Sequence, residues 1–76
     1  MSDRTRIVTA IFPDSMLVKV ATENAIGLVS DEEFRDVEIW LPISQIDGDI
    51  PELEEWIDSI EIPLWLAEEK ELEYDE

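Results

Sequence analysis

The sequence predicts a small α+β fold, mainly β, in which an antiparallel sheet or partly open barrel of about four or five strands carries a short C-terminal helix. Three observations predict it. Val37, Ile39 and Leu41 alternate with Glu38 and Trp40, the period-2 pattern of a strand with one buried face. Further β-branched runs precede that stretch and are separated from it by short polar breaks. After Pro63, the run Leu64–Leu72 is rich in Leu, Ala, Glu and Lys, which are strong helix formers.

Taken in order, Arg6–Phe12 reads as a first strand, and Pro13-Asp14-Ser15 as a turn that sends the chain back in a hairpin through Met16–Ala21. Thr22-Glu23-Asn24 is a break before a third strand, Ala25–Val29. Gly27 within it points to a bulge or to a close backbone approach. Ser30–Arg35 is a loop, or one helical turn capped by Ser30 with Glu33 at the reciprocal position. The stretch Val37–Ile46 is expected to be the element around which the sheet is arranged, with Pro42 ending its ladder and Ile43–Ile46 forming a tight or 3₁₀ turn. Trp40 lies opposite Leu41, where it seals a second apolar layer or meets a partner; sealing is expected for Trp40 and Trp65, partial exposure for Trp56. Pro51–Trp56 suits a short helix that starts on proline, and Trp56–Ile62 a last strand with Ile60 and Ile62 inward. The chain reads as one domain, residues 1–76, frayed at 1–4 and at 73–76, the latter because acids at a helix C-terminus oppose the macrodipole.

Charge is the dominant compositional signal. The 76 residues hold 5 Lys and Arg against 21 Asp and Glu, a net −16. Residues 1–35 carry four cations and six acids, whereas residues 36–76 carry one cation, Lys70, and fifteen acids. Such a field repels nucleic acid and anionic membrane surfaces and attracts basic proteins. Neither an apolar leader nor a long hydrophobic segment is visible, so a cytoplasmic protein is expected.

Two segments, Glu38-Ile39-Trp40-Leu41-Pro42-Ile43-Ser44-Gln45-Ile46 and Ile60-Glu61-Ile62-Pro63-Leu64-Trp65-Leu66-Ala67-Glu68-Glu69-Lys70, together with Ala25–Val29, resemble short, acidic, uncharacterised proteins of phages and bacterial mobile elements. The likeness spans roughly residues 16–72. A lysine usual in that group is Ile43 here, and a glycine usual after the tail lysine is Glu71, which removes a positive charge and a helix stop. The resemblance implies origin and fold, and no activity.

The chain has no histidine and no cysteine, which removes the commonest general base, the commonest transition-metal ligand and any disulfide. The pairs Glu54/Glu55 and Glu68/Glu69 are the remaining acid/base candidates, but a chain this short has little room for the cleft that would desolvate them. The expectation is a non-enzyme without a cofactor. Asp47-Gly48-Asp49 followed by Glu54 matches the end of an EF-hand loop, yet Ile43 and Gln45 stand where its first ligands belong, so a solvated acidic turn is expected and no metal site.

Solubility alone asks for a net charge of only about 2–8 in magnitude, so −16 points to a use. The expected function is that of a phage-encoded inhibitor whose acidic face stands in for nucleic acid in a basic groove of a host defence complex, of anti-CRISPR or antirestriction type. Asp47, Asp49, Glu52, Glu54, Glu55, Asp58, Glu61, Glu68, Glu69 and Glu71 would supply the charge, and Trp56 or Tyr74 an aromatic anchor. The alternatives are a β-rich assembly module, for instance a homodimer through a strand edge, and an adaptor that binds a basic host protein without competing with nucleic acid.

Overall fold

One 15-residue strand, β1 (Ile7–Ala21), runs the length of the sheet, and three of the other four strands hydrogen-bond directly to it. The computed structural model describes residues 3–75; Met1, Ser2 and Glu76, expected to fray, lie outside them. β2 (Ala25–Val29) pairs with the second half of β1, β3 (Ile39–Pro42) pairs with β2, and β4 (Trp56–Pro63) pairs with both halves of β1. A 3₁₀ turn (Ile43–Gln45) follows β3, and α1 (Leu64–Glu69) follows β4. β5 (Glu73–Asp75) then lies against the first half of β1, on the edge away from β4. All pairs are antiparallel. The mainly β, α+β expectation therefore holds.

The expected hairpin at Pro13-Asp14-Ser15 is instead a bulge inside β1. Ile11 faces Ser59 and Met16 faces Ile57, so five steps along β1 answer two along β4. Pro13 has no N–H to withdraw from a ladder, and Ser15 adopts φ 65°, the left-handed region. A hairpin would turn the two halves of this segment against each other; both face β4 instead.

Val8, Ala10, Phe12, Met16 and Val18, all at even positions, lie on one side of β1 by alternation. These join Ile26, Leu28, Leu41, Ile57, Ile60, Ile62, Leu64 and Leu66 in one apolar cluster, and no polar or charged residue is buried among the described residues. Ile60 and Ile62 thus point inward as expected. Trp65, half-buried, packs against the same cluster.

β3 is an edge strand of only four residues, so the Val37–Ile46 stretch is not the organiser of the sheet. Length decides the matter: β1 alone is long enough to serve partners on both edges. Trp40 is 44% exposed and does not seal the core. It stands on the outer face with Gly27, its Cα partner, and residues 30–38 fold back across that face. Leu17 and Val29, buried but outside the main cluster, lie there under a second thin apolar layer. Ser30 is tied to the Glu38 carboxylate through its amide and hydroxyl, both at 2.7 Å, and Lys19 Nζ donates to the Glu32 carbonyl at 2.6 Å.

No helix forms over Pro51–Trp56. Glu54 sits at φ 67°, its amide donates to Val18 O at 2.8 Å, and Val18 N donates to Glu55 O at 2.9 Å. The segment gains sheet-like bonds to β1 in place of helical ones.

Helix α1 is shorter than the Leu64–Leu72 expected, and it is closed at both ends by main chain. Leu64 N and Trp65 N donate to Arg6 O and Arg4 O, both at 2.9 Å, which satisfies two otherwise orphaned amides and ties down the N-terminal segment. At the other end Leu72 N reaches Ala67 O at 2.9 Å and Glu71 N reaches Glu68 O at 3.1 Å, the paired bonds of a Schellman cap. Glu71 holds the left-handed position at φ 57°. The helix stop is therefore present without the glycine, and Glu73–Asp75 form a strand where fraying was expected.

Gly27 leaves a gap that Val37 fills. A Cβ there would meet the Val37 methyls at 2.6 and 2.9 Å and the Trp40 ring at 3.2 Å. Overpacking of that kind costs about 1–3 kcal/mol, more than the ~0.4–1 kcal/mol that a Gly→Ala change gains from the unfolded chain. Gly27→Ala is expected to lower stability in urea unfolding, and Val37→Ala in the same chain to restore part of it; unchanged stability would remove the close-packing account. Glu71→Gly is expected to raise stability by up to about 1 kcal/mol by relieving the left-handed penalty, as read from the midpoint of the same transition.

Candidate acidic interface

A shallow hollow of about 640 Å³ opens beside β4, and five carboxylates line it: Asp47, Asp49, Glu52, Glu55 and Glu61. Thr9, Ile57, Ser59 and Ile60 come from the sheet, Ile50 and Pro51 from the connection that crosses beside it. That connection is anchored by Asp47 N, which donates to Glu61 O at 2.9 Å, and turned by Gly48 at φ 83°. A second turn follows, in which Glu55 N donates to Glu52 O at 3.1 Å while the Glu55 carboxylate accepts from Glu52 N at 3.0 Å. Local hydrogen bonding thus places carboxylates distant in sequence around one opening.

Beyond the hollow, the sheet itself extends the acidic surface. Thr9 is the Cα partner of both Glu61 and Asp75, and Ile11 of both Ser59 and Glu73. Side chains directly opposite on neighbouring strands share a face, so Glu61 and Asp75 flank Thr9 about 10 Å apart. Glu73 and Asp75 are not among the contact residues that the sequence predicts. Their alternation around Tyr74 is the period-2 signal that points to a strand.

The remaining expected residues go elsewhere. Glu54 and Trp56 line a separate cleft with Lys19, Glu32, Glu33 and Leu53. Asp58 accepts a short hydrogen bond from the Ser15 hydroxyl at the β1 bulge. Glu68 is paired with Arg4, Oε1 to Nε at 3.0 Å, and Glu69 is exposed on α1. Glu71 lines a third hollow with Asp14, Glu38 and Glu73. Of the eleven residues, five share the hollow and the other six lie at four further places: the cleft, the β1 bulge, α1 and the third hollow. The reason is topological, because β4 and α1 present successive carboxylates to different sides.

At the N-terminal end the Thr5 hydroxyl and amide donate to the Asp3 carboxylate and hold its pKa below the usual value. Among the described residues no group of three or more acidic side chains is placed to hold a metal ion, and no helix is long and apolar enough to cross a membrane. Comparison of the chain with protein-family models, curated proteins and solved structures finds no match.

Chemically, the hollow can accept cations and hydrogen-bond donors at its rim. The same crowding sets carboxylates against one another. Raising salt from about 10 to 100 mM shortens the screening length from about 30 to 10 Å, so the melting temperature is expected to rise over that range of sodium chloride. A flat melting curve across it would show that the carboxylates do not repel appreciably in the folded chain.

Proposed function

We propose that this chain is a phage-encoded acidic inhibitor that occupies a basic, nucleic-acid-binding groove of a host defence complex, of the anti-CRISPR or antirestriction kind. The observation that carries the reading is the acidic hollow and its continuation over the β4-β1-β5 face, where Asp47, Asp49, Glu52, Glu55, Glu61, Glu73 and Asp75 lie close in space. Charge density supports it. Without Glu76, twenty acids and five bases leave a net −15 along a molecule 42 Å in its longest dimension. A duplex of that length carries about 25 phosphate charges, so the protein reaches about 0.6 of its linear density. The resemblance to short acidic phage proteins agrees with this origin.

Arginine and lysine side chains of the partner form charge-assisted hydrogen bonds to these carboxylates, and association is fast and salt-sensitive. Fixed strand positions add to this, because they lower the ordering cost of presenting the charges.

The test is capture of the partner from a host lysate on the immobilised chain at low and high salt, with elution by duplex DNA. Partner bound at low salt is expected to elute with duplex and to lose its nucleic-acid binding or cleavage when the protein is present. The variant Asp49→Lys/Glu52→Lys/Glu61→Lys, checked by far-UV circular dichroism, is expected to bind at least about tenfold more weakly, since each charged hydrogen bond contributes about 1.5–3 kcal/mol. Undiminished inhibition by the folded triple variant would overturn the proposal.

A further inference from the structure

The structure points to a second recognition site, independent of the acidic hollow: we propose that the cleft around Trp56 binds an arginine side chain of a basic protein segment. The cleft, about 550 Å³, lies on the outer face between the loop after β2 and the turn before β4. Its apolar part is Leu17, Leu53 and the Trp56 ring, and its acidic part is Glu32, Glu33 and Glu54. Trp56 is 48% exposed and Leu53 56% exposed, so two large apolar side chains adjoin in solvent beside three carboxylates.

The chain maintains this arrangement at a cost. Glu54 adopts φ 67°, unfavourable for any residue with a Cβ, and two backbone bonds to Val18 hold the turn there. On the opposite wall, Lys19 fixes the loop by donating to Glu32 O, a carbonyl, so the bond engages main chain rather than carboxylate.

Charge complementarity selects the occupant. An exposed indole also serves as a platform for nucleobases, but such sites run along cationic grooves, and this one is rimmed by carboxylates. A second copy of the chain would bring another −16 to the face. A guanidinium satisfies both halves of the cleft: its plane stacks on the indole while its N–H groups donate to Glu33 or Glu54. An ammonium has the charge without the planar stacking surface, so arginine is preferred over lysine.

The experiment is a titration of the uniformly ¹⁵N-labelled full chain with tetra-arginine and, separately, tetra-lysine peptides of equal charge, followed by amide and indole resonances. Tetra-arginine is expected to shift the Trp56 indole N–H and the amides of Lys19, Glu33 and Glu54, and to bind about two- to fivefold more tightly than tetra-lysine, the gain of an exposed cation–π contact. Trp56→Ala is expected to abolish that preference, and Trp56→Phe to keep part of it, while Glu61→Lys in the acidic hollow leaves it intact. Equal response to the two peptides, shifts confined to residues 47–61 without the Trp56 indole, or Trp56 broadening that depends on protein concentration without peptide would each overturn the assignment; the last would indicate a second copy in the cleft. Loss of inhibition in the triple variant with the arginine preference retained would separate this site from the nucleic-acid-mimic reading.

Discussion

The antiparallel ladder between β1 and β4 is the interaction on which the rest of the molecule depends. It joins Ile7 to Pro63 at one end and Leu17 to Trp56 at the other, and crosses the bulge between. Everything else attaches to it. β2 and β5 share the far edge of β1, α1 starts where β4 stops at Pro63, and the acidic connection hangs from β4 through Glu61 O. Phe12 and Met16 are four positions apart and share a side by alternation alone; the bulge instead changes the register with β4, so that Ile57, opposite Met16, faces the core along with Ile60 and Ile62, opposite Ala10 and Val8. One strand thereby serves a continuous core.

The core that results is thin: the Cα envelope measures only 19 Å in its shortest dimension. With so little interior, the apolar cluster contains no buried polar group to satisfy, and the acids are left to the surface, where water and salt moderate their repulsion. Charge and fold are in this sense nearly independent. The sheet is specified by Ile, Val and Leu at inward positions, and outward positions can be acidic as long as the strands still alternate. That independence is what allows a small protein to carry such a field and keep a defined shape.

Much of this fold is legible in the sequence, and the parts that are not fail for identifiable reasons. Ala25–Val29 emerges as a strand from local pattern alone, and Gly27 is correctly read as a bulge or close-approach position, since glycine in a strand has few other uses. Pro63 marks the change from strand to helix. In contrast, Pro13-Asp14-Ser15 carries the same local signal whether it turns a hairpin or bulges a strand; only the distant Ile57–Ser59 segment decides between them. Pro51–Trp56 has helix-start chemistry, overridden by two backbone bonds to Val18, more than thirty positions earlier. Acidic residues are countable from composition, but their grouping depends on which strands neighbour β1. Hence Glu73 and Asp75 join the acidic face, while Glu54 and Asp58, adjacent in sequence to its members, turn away from it.

The partnership of Thr9 with Asp75 closes a loop spanning nearly the whole chain. During synthesis, β1 leaves the ribosome well before β4 and β5 exist to pair with it, and its β-branched face stays open to other nascent chains for that interval. Sequences meet this hazard with flanking charges that discourage intermolecular stacking of strands. Asp14 within β1 and the acids that emerge before β4 are charges of that kind, a use for anionic side chains that precedes any finished surface.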